Sequence, residues 1–151
     1  MHRSERVNMK TKNQRAARPP KQPSRRFDEL GELQQAILEV LWARKEATVQ
    51  EVRDSLHRTK VPAYTTVLSL LQKLEKNGWL THRADGRSYV YKPRVSHATE
   101  QTRSLGAFVD RLFGGDPMRL FEHLLEDPRV SDEEIVRIRS LIRRKRSRGA
   151  S

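Results

Sequence analysis

The sequence predicts a mainly α-helical protein with one small β-hairpin, arranged as a compact N-terminal part and a helical C-terminal part. Apolar residues recur at intervals of three and four along most of the chain, which is typical of amphipathic helices. One pair of short alternating segments flanks Asp85-Gly86, a dipeptide that favours a tight hairpin turn. The 151 residues, 35% of them hydrophobic, allow one or two small domains but no large catalytic core.

The chain is strongly basic and contains no cysteine. Lys and Arg total 31 against 19 Asp and Glu, and the formal net charge of +12 makes nucleic acid the leading partner. The absence of cysteine excludes disulfides, thiolate zinc sites and cysteine nucleophiles. Because no apolar run approaches the roughly 20 residues that span a bilayer, we expect no membrane insertion and a cytoplasmic location.

Residues 1–26 are expected to form a disordered basic arm. They contain nine basic residues and one acid, together with three prolines and few apolar side chains. Such a segment cannot bury enough surface to offset the entropy of ordering it. The arm either binds phosphates or only keeps the protein in solution, and both interpretations stay open.

Three short helices are predicted after the arm. The first covers about residues 29–43, and the second opens at a capping box formed by Thr48 and Glu51. The third stops at Asn77-Gly78, since glycine readily adopts the left-handed conformation that ends a helix. The apolar residues of the first and third helices are Leu30, Leu33, Ile37, Leu38 and Leu41, then Val67, Leu70, Leu71 and Leu74.

A two-stranded hairpin is predicted directly after the third helix. Its strands are residues 79–84 and 87–92, and Pro93 closes it. Three helices followed by a hairpin is the order of a winged helix-turn-helix, in which the third helix enters the major groove and the hairpin, or wing, lies along the DNA backbone. Residues 27–94 are therefore predicted to be a DNA-binding domain.

The outer face of the third helix carries the residue types expected at a DNA interface. Short hydroxyls lie near its start, where base edges would be, and lysines lie further along, where phosphates would be. Amide groups at the helix start also favour a phosphate. Any amphipathic helix has a solvated polar face, so the basic wing beside it is the deciding observation. The predicted DNA-binding residues are Ala63, Tyr64, Thr65, Thr66, Ser69, Lys73, Lys76, Arg83 and Arg87.

Residues 95–142 are predicted to form a helical dimerisation domain, followed by a basic tail at 143–151. Its helices start at Ser96, at Asp116-Pro117 and at a capping box opened by Ser131. Their apolar stripes exceed what three short helices can hide in one subunit, so we expect a two-fold partner. The alternative is that the stripes pack back onto the winged helix. The predicted dimerisation residues are Leu105, Phe108, Val109, Leu112, Phe113, Leu120, Phe121, Leu124, Ile138 and Leu141.

The sequence predicts no enzyme, no metal site and no cofactor. The five histidines are scattered without ligand spacing. There is no nucleophile–base pair and no paired-acid constellation. Catalytic and metal-ligating residues are therefore predicted to be absent.

Eight short segments of the chain are similar to one known family. Between about residues 28 and 142 the sequence resembles the penicillinase-repressor family, also called BlaI/MecI/CopY. The resemblance implies a homodimeric transcriptional repressor with a winged-helix DNA-binding domain and a helical dimerisation domain. The segments are Leu30-Gly-Glu-Leu33, Val40-Leu-Trp42, Thr48-Val-Gln-Glu-Val52, Ala63-Tyr-Thr-Thr-Val-Leu68, Leu71-Gln-Lys-Leu74, Asn77-Gly-Trp-Leu80, Gly86-Arg-Ser-Tyr-Val-Tyr91 and Leu112-Phe-Gly-Gly115.

The resemblance also brings two regulatory devices of the family to compare. In β-lactam-responsive members a membrane sensor protease acts upstream and an Asn-Phe bond is cleaved, but this chain has His123-Leu124 at that place. Copper-responsive members use a Cys-x-Cys cluster, and this chain has no cysteine. Copper sensing by that route is excluded, and the inducer, the operator and the regulated genes are not given by the sequence.

Two other functions stay open beside repression. The winged helix could act as a protein-interaction adaptor, or the basic tails could bind nucleic acid without sequence preference. Salt dependence distinguishes the three. The affinity of an adaptor should depend little on salt. The affinity of tail-driven binding should fall steeply with salt and show no sequence preference. The affinity of a repressor should also fall steeply with salt, with a specificity of about 1,000-fold or more.

Overall fold

A computed structural model describes residues 22–149 of the chain. The described residues up to Ser104 form one compact unit, and those from Leu105 onwards form a second. No helix in the described range is long and apolar enough to cross a membrane. After a 3-10 turn at Phe27–Glu29, the elements are α1 (Glu32–Arg44), β1 (Ala47–Thr48), α2 (Val49–Ser55), α3 (Tyr64–Lys76), β2 (Leu80–Asp85), β3 (Ser88–Pro93), α4 (His97–Leu112), α5 (Pro117–Glu126) and α6 (Asp132–Gly149).

The first unit is built around one apolar core. The helical stripes predicted for α1 and α3 supply its centre, with Ile37, Leu41 and Leu71 fully buried. Trp79 and Tyr91 bring the start and end of the wing onto the same core. The winged helix-turn-helix order of three helices and a hairpin is confirmed.

The capping box predicted at the start of α2 is present. The Thr48 hydroxyl accepts the backbone N–H of Glu51 at 3.2 Å, and the Glu51 carboxylate accepts the N–H of Thr48 at 3.0 Å. Arg44 of α1 donates to the same carboxylate at 2.8 Å. These contacts hold the pKa of Glu51 below its ordinary value, chiefly through the backbone and hydroxyl of Thr48.

The sheet has three strands rather than the two expected from the sequence. β1 pairs with β3 through Ala47↔Tyr91 and Thr48↔Val90, and the strand order is β1-β3-β2. A strand of two residues is too short to show alternation in the sequence. Its effect is to tie the root of the wing to the start of α2.

The turn of the wing lies one residue later than predicted. Asp85 pairs with Ser88, so Gly86-Arg87 forms the loop and Asp85 belongs to β2. Gly86 has a φ of +62°, and Arg87 is not left-handed, because Lys45 is the one non-glycine residue between 22 and 149 with a positive φ. Glycine at the first loop position alone is typical of a type II′ turn, which twists in the same sense as the strands.

The end of the predicted disordered arm is folded onto the first unit. Pro23 is fully buried, and Arg26 pairs with Asp28 at 3.2 Å and with Glu29 at 3.5 Å. Residues 23–26 are therefore held against the first unit by a buried proline and local ion pairs, which their composition alone does not predict. The rest of the arm lies outside the described residues.

The start of α4 also packs on the first unit. Ser96 caps the helix by accepting the N–H of Thr99 at 3.0 Å, as predicted. The indole of Trp42 donates to the Val95 carbonyl at 2.9 Å and stacks on the His97 ring at 4.6 Å. Buried Glu100 accepts the N–H of Phe27 at 3.0 Å. The first turns of α4 are thus continuous with the winged helix.

The second unit contains the remaining predicted helices. Asp116 caps α5 by accepting the N–H of Met118 at 3.0 Å, and the Ser131 hydroxyl accepts the N–H of Glu134 at 3.3 Å at the start of α6. The last helix continues to Gly149, so residues 143–149 are helical and do not form a separate tail. Arginine and lysine are good helix formers and complement the negative end of the helix dipole, which explains the extension.

Candidate nucleic-acid interface

One face of α3 is buried and the opposite face is open to solvent. Val67, Leu71 and Leu74 point into the core, and about 100° of rotation per residue turns the predicted contact residues outward. Gln72, which lies between the predicted contact residues Ser69 and Lys73 in the sequence, is exposed as well. None of these outward residues is acidic. The exposed predicted residues of this face are Ala63, Tyr64, Thr65, Thr66, Ser69, Lys73 and Lys76.

The first turn of α3 is not capped by a side chain. Ala63 is the N-cap residue, and its carbonyl accepts the N–H groups of Thr66 and Val67, both at 3.1 Å. The amide groups at the start of the helix therefore point outward without a side-chain partner from the cap. Such amides, at the positive end of the helix dipole, can bind a phosphate.

The wing is attached to one flank of α3 by a histidine–glutamate pair. His82 of β2 lies with its Nδ1 2.6 Å from one carboxylate oxygen of Glu75 and 2.7 Å from the other. The His82 ring also contacts the rings of Tyr89 and Tyr91, at 4.8 and 5.5 Å between centroids. Burial, and secondarily the charge of Glu75, raises the pKa of Tyr91 above its ordinary value.

The two predicted arginines of the wing differ in their surroundings. Arg87 lies exposed in the turn. Arg83 pairs with Glu46 at 2.9 Å and lies 4.0 Å from Asp85. Because both partners of the Arg83–Glu46 pair are about half exposed, the pair is weak and a phosphate could compete for the arginine. Sequence reasoning missed Glu46 and Glu75, since their partners lie 37 and 7 residues away.

No cluster that could hold a metal ion occurs among residues 22–149. His123 contacts the ring of Phe113 at 5.6 Å, so this histidine lies in an aromatic contact. The exposed side chains on the outer face of α3 include hydroxyls, an amide and lysines, which suit recognition of a polyanion.

The predicted dimerisation residues leave a large apolar surface on the second unit. Between residues 105 and 149 one hydrophobic side chain, Val109, is buried. Leu112 is 64% exposed and Phe121 50% exposed. Phe113, Leu120 and Ile138 are partly buried, and the exposed remainder is Leu105, Phe108, Leu124 and Leu141.

Comparison with known proteins gives several relatives that are repressors or transcriptional regulators. The penicillinase repressor of Bacillus licheniformis is 23% identical over 124 residues, covering 82% of this chain and 97% of that protein. The transcriptional regulator BlaI of Mycobacterium tuberculosis is 38% identical over 65 residues, covering 42% of this chain and 47% of that protein. The methicillin resistance regulatory protein MecI of Staphylococcus aureus is 19% identical over 117 residues, covering 78% of this chain and 95% of that protein.

Solved structures with similar folds include DNA-binding proteins. The solution structure of the DNA-binding domain of the repressor BlaI matches with 24% identity and a TM-score of 0.43, over 50% of this chain and 92% of that one. The monomeric form of B. licheniformis BlaI bound to the blaP half-operator matches with 25% identity and a TM-score of 0.40, over 47% of this chain and 87% of that one. The sequence profile of the family described as penicillinase repressor matches residues 30–144. This match covers both structural units, and the chain belongs to the penicillinase repressor family.

Proposed function

We propose that this chain is a transcriptional repressor that binds a pseudo-palindromic operator as a homodimer. The observation that carries the proposal is the outer face of α3, where exposed hydroxyls and lysines lie between an uncapped helix start and a basic wing. The one carboxylate of α3, that of Glu75, is paired with His82. Members of the family are transcriptional repressors, and the chain is not an enzyme.

The residues of α3 divide into two roles by their position. Thr65, Thr66 and Ser69 are short and lie near the helix start, so they suit hydrogen bonds to base edges in the major groove. Lys73 and Lys76 are longer and lie in the second half, which suits phosphates on the rims of the groove. Arg87, at the tip of the wing, suits the backbone beyond the groove.

The second unit is proposed to hold two copies of the chain together. Its exposed leucines and phenylalanines form the type of surface that a two-fold partner covers. A dimer would present two α3 helices to half-sites whose centres lie about one helical turn of DNA, roughly 34 to 36 Å, or a multiple of it apart. A repressor of this design works where the chromosome is, so we place its action in the cytoplasm.

A titration of salt dependence tests the proposal. The full chain is used to select its preferred duplex from a randomised pool, and its affinity for that duplex and for random duplex is then measured over a range of salt. We expect affinity to fall steeply with salt on both duplexes and the selected duplex to bind about 1,000-fold more tightly or better. Equal affinity for the selected and the random duplex would indicate nonspecific binding by the basic tails. Affinity that is weak and insensitive to salt would point to a protein-interaction adaptor.

A further inference from the structure

A cleft borders α3 on the flank opposite Glu75 and His82, and Trp79 at the start of the wing lines it together with Leu30. Its volume is about 260 Å³. Side chains from three separated parts of the chain meet there: the segment before the first turn, the first half of α1 and the end of α3. The polar residues lining this cleft, called here the Arg25 cleft, are Ser24, Arg25, Gln34, Lys73 and Asn77.

The backbone at Arg25 is held in place from both sides. Pro23 is fully buried against the first unit. Arg26 is fixed by its ion pairs with Asp28 and Glu29 and by its N–H, which donates to Glu29 at 2.8 Å. Arg25 itself is exposed, so a fixed backbone carries its guanidinium to the edge of α3. A ligand that binds this side chain would not have to order the backbone first.

The charges in the cleft favour an anion. Arg25 and Lys73 both line it, and none of its lining residues is acidic. The amide oxygen of Gln34 accepts the N–H of Gly31 at 3.3 Å, which leaves its NH₂ group as the donor. Two cations that share a cleft repel one another, and an anion between them removes that repulsion. A phosphate, with several acceptor oxygens, suits a guanidinium and an ammonium together.

The position of the cleft relates it to DNA. The major groove is about 12 Å wide and a helix with its side chains about 10 to 12 Å across, so a helix in the groove has a row of phosphates on each flank. Glu75 lies on the flank held to β2. At about 100° per residue, Lys73 and Asn77 lie about 40° apart on the other flank. The wing and the Arg25 cleft therefore border opposite sides of α3.

We propose that the Arg25 cleft binds a backbone phosphate of the DNA strand opposite the strand that the wing contacts, with Arg25 and Lys73 as its two cationic ligands. The proposal rests on the proposed function, since it assumes that α3 enters the major groove. It adds to the interface a residue that precedes the first helix and lies outside the match to the family. α3 is then clamped on both flanks, which fixes its rotation in the groove.

The test compares phosphate contacts in variants of the full chain. Ethylation interference, which blocks one phosphate at a time, is run on the selected duplex with the wild type, Arg25→Gln and Lys73→Gln. The expected result is that both variants lose interference at the same one or two phosphates. Affinity should fall about five- to tenfold on selected and random duplex alike, and the salt slope should decrease by about 0.9 for one lost phosphate contact.

Two controls separate a specific contact from a general loss of charge. Arg129→Gln removes one cation that is 89% exposed between α5 and α6 and lies outside the predicted DNA-binding and dimerisation residues, and it should leave the interference pattern intact. Arg25→Lys keeps the charge and should retain the salt slope. Thermal unfolding of each variant reports whether the fold is retained, and exposure of Arg25 predicts that it is. If Arg25→Gln lowers the unfolding temperature, Arg25→Met, which keeps the aliphatic part of the side chain and removes the charge, is measured in its place.

Several outcomes would overturn the inference. If Arg25→Gln keeps every phosphate contact and the full salt slope, the cleft does not bind DNA. If the two variants lose different phosphates, Arg25 and Lys73 do not share a ligand. If inorganic phosphate, matched to chloride in ionic strength, stabilises the wild type but not Arg25→Gln while DNA contacts are unchanged, the cleft is a site for free phosphate. Loss of all sequence preference in the wild type would instead refute the proposed function.

Discussion

Truncating Leu112 to alanine should weaken self-association of the chain by a measurable amount. Leu112 is 64% exposed at the end of α4. Full burial of a leucine side chain is worth roughly 1.5 to 3 kcal/mol, so covering this exposed part contributes about 1 to 2 kcal/mol per copy. A two-fold interface contains the residue twice, and losing a total of about 2 to 4 kcal/mol raises the dimer dissociation constant about 30- to 700-fold.

Sedimentation equilibrium over a series of protein concentrations measures that constant. Leu112→Asp should go further than Leu112→Ala, because a carboxylate would be buried without a partner in each copy. Asp110→Ala provides the matched control for Leu112→Ala. Asp110 is exposed and lies about 160° around α4 from Leu112. This control should dimerise like the wild type and retain operator binding.

A wild-type mass of one chain at micromolar concentration would contradict a dimer held by this stripe. An unchanged dissociation constant in both Leu112 variants would be equally damaging, since it would mean that the exposed stripe does not lie in the interface. If the variants instead lower the unfolding temperature of a monomeric wild type, the stripe packs back onto the winged helix.

Three further predictions concern α3, the arm and the capping box. Thr66→Ala or Ser69→Ala should weaken binding to the selected duplex by about 1 to 3 kcal/mol in an anisotropy titration and leave random duplex nearly unaffected, and equal losses would make them phosphate contacts. Deleting residues 1–21 removes seven cations and one acid, so affinity should fall uniformly and the salt slope should decrease, whereas an unchanged slope would make this segment only solubilising. Thr48→Ala should cost about 1 kcal/mol in urea unfolding at neutral pH. The folded protein lowers the pKa of Glu51 from 4.5, so the stabilising effect of this carboxylate is present above pH 4.5 and lost as the pH falls below it. The difference in unfolding free energy between wild type and Glu51→Gln should therefore close in acid. A difference that stays constant with pH would contradict this.

The helices and their caps could be predicted because their signals are local. Apolar spacing identified the buried faces of α1 and α3, and the structure confirms both. The side-chain oxygens of Thr48, Ser96 and Asp116 accept the N–H groups that their positions in the sequence predicted. The family resemblance is confirmed as well, by a match over residues 30–144. The predicted DNA-binding and dimerisation residues stay predictions, as does an upstream sensor protease.

Features that depend on contacts distant in sequence could not be predicted. β1 exists because Ala47 pairs with Tyr91, and a two-residue strand has no periodicity of its own. Pro23 is buried by contacts that it makes in the folded protein. The composition of residues 23–26 alone therefore predicts disorder. The turn at Gly86-Arg87 differs from the predicted one by a single residue, because a glycine favours both the I′ and the II′ geometry.

Selection from a pool of randomised duplexes shows whether the chain binds a specific operator with two-fold symmetry. The full chain is offered the pool at moderate salt, and the enriched duplexes are sequenced. We expect one motif in two inverted copies, with half-site centres about one helical turn or a multiple of it apart. Enrichment of no motif would contradict sequence-specific binding, and enrichment of a single, unpaired half-site would contradict a dimer that places two α3 helices on one operator.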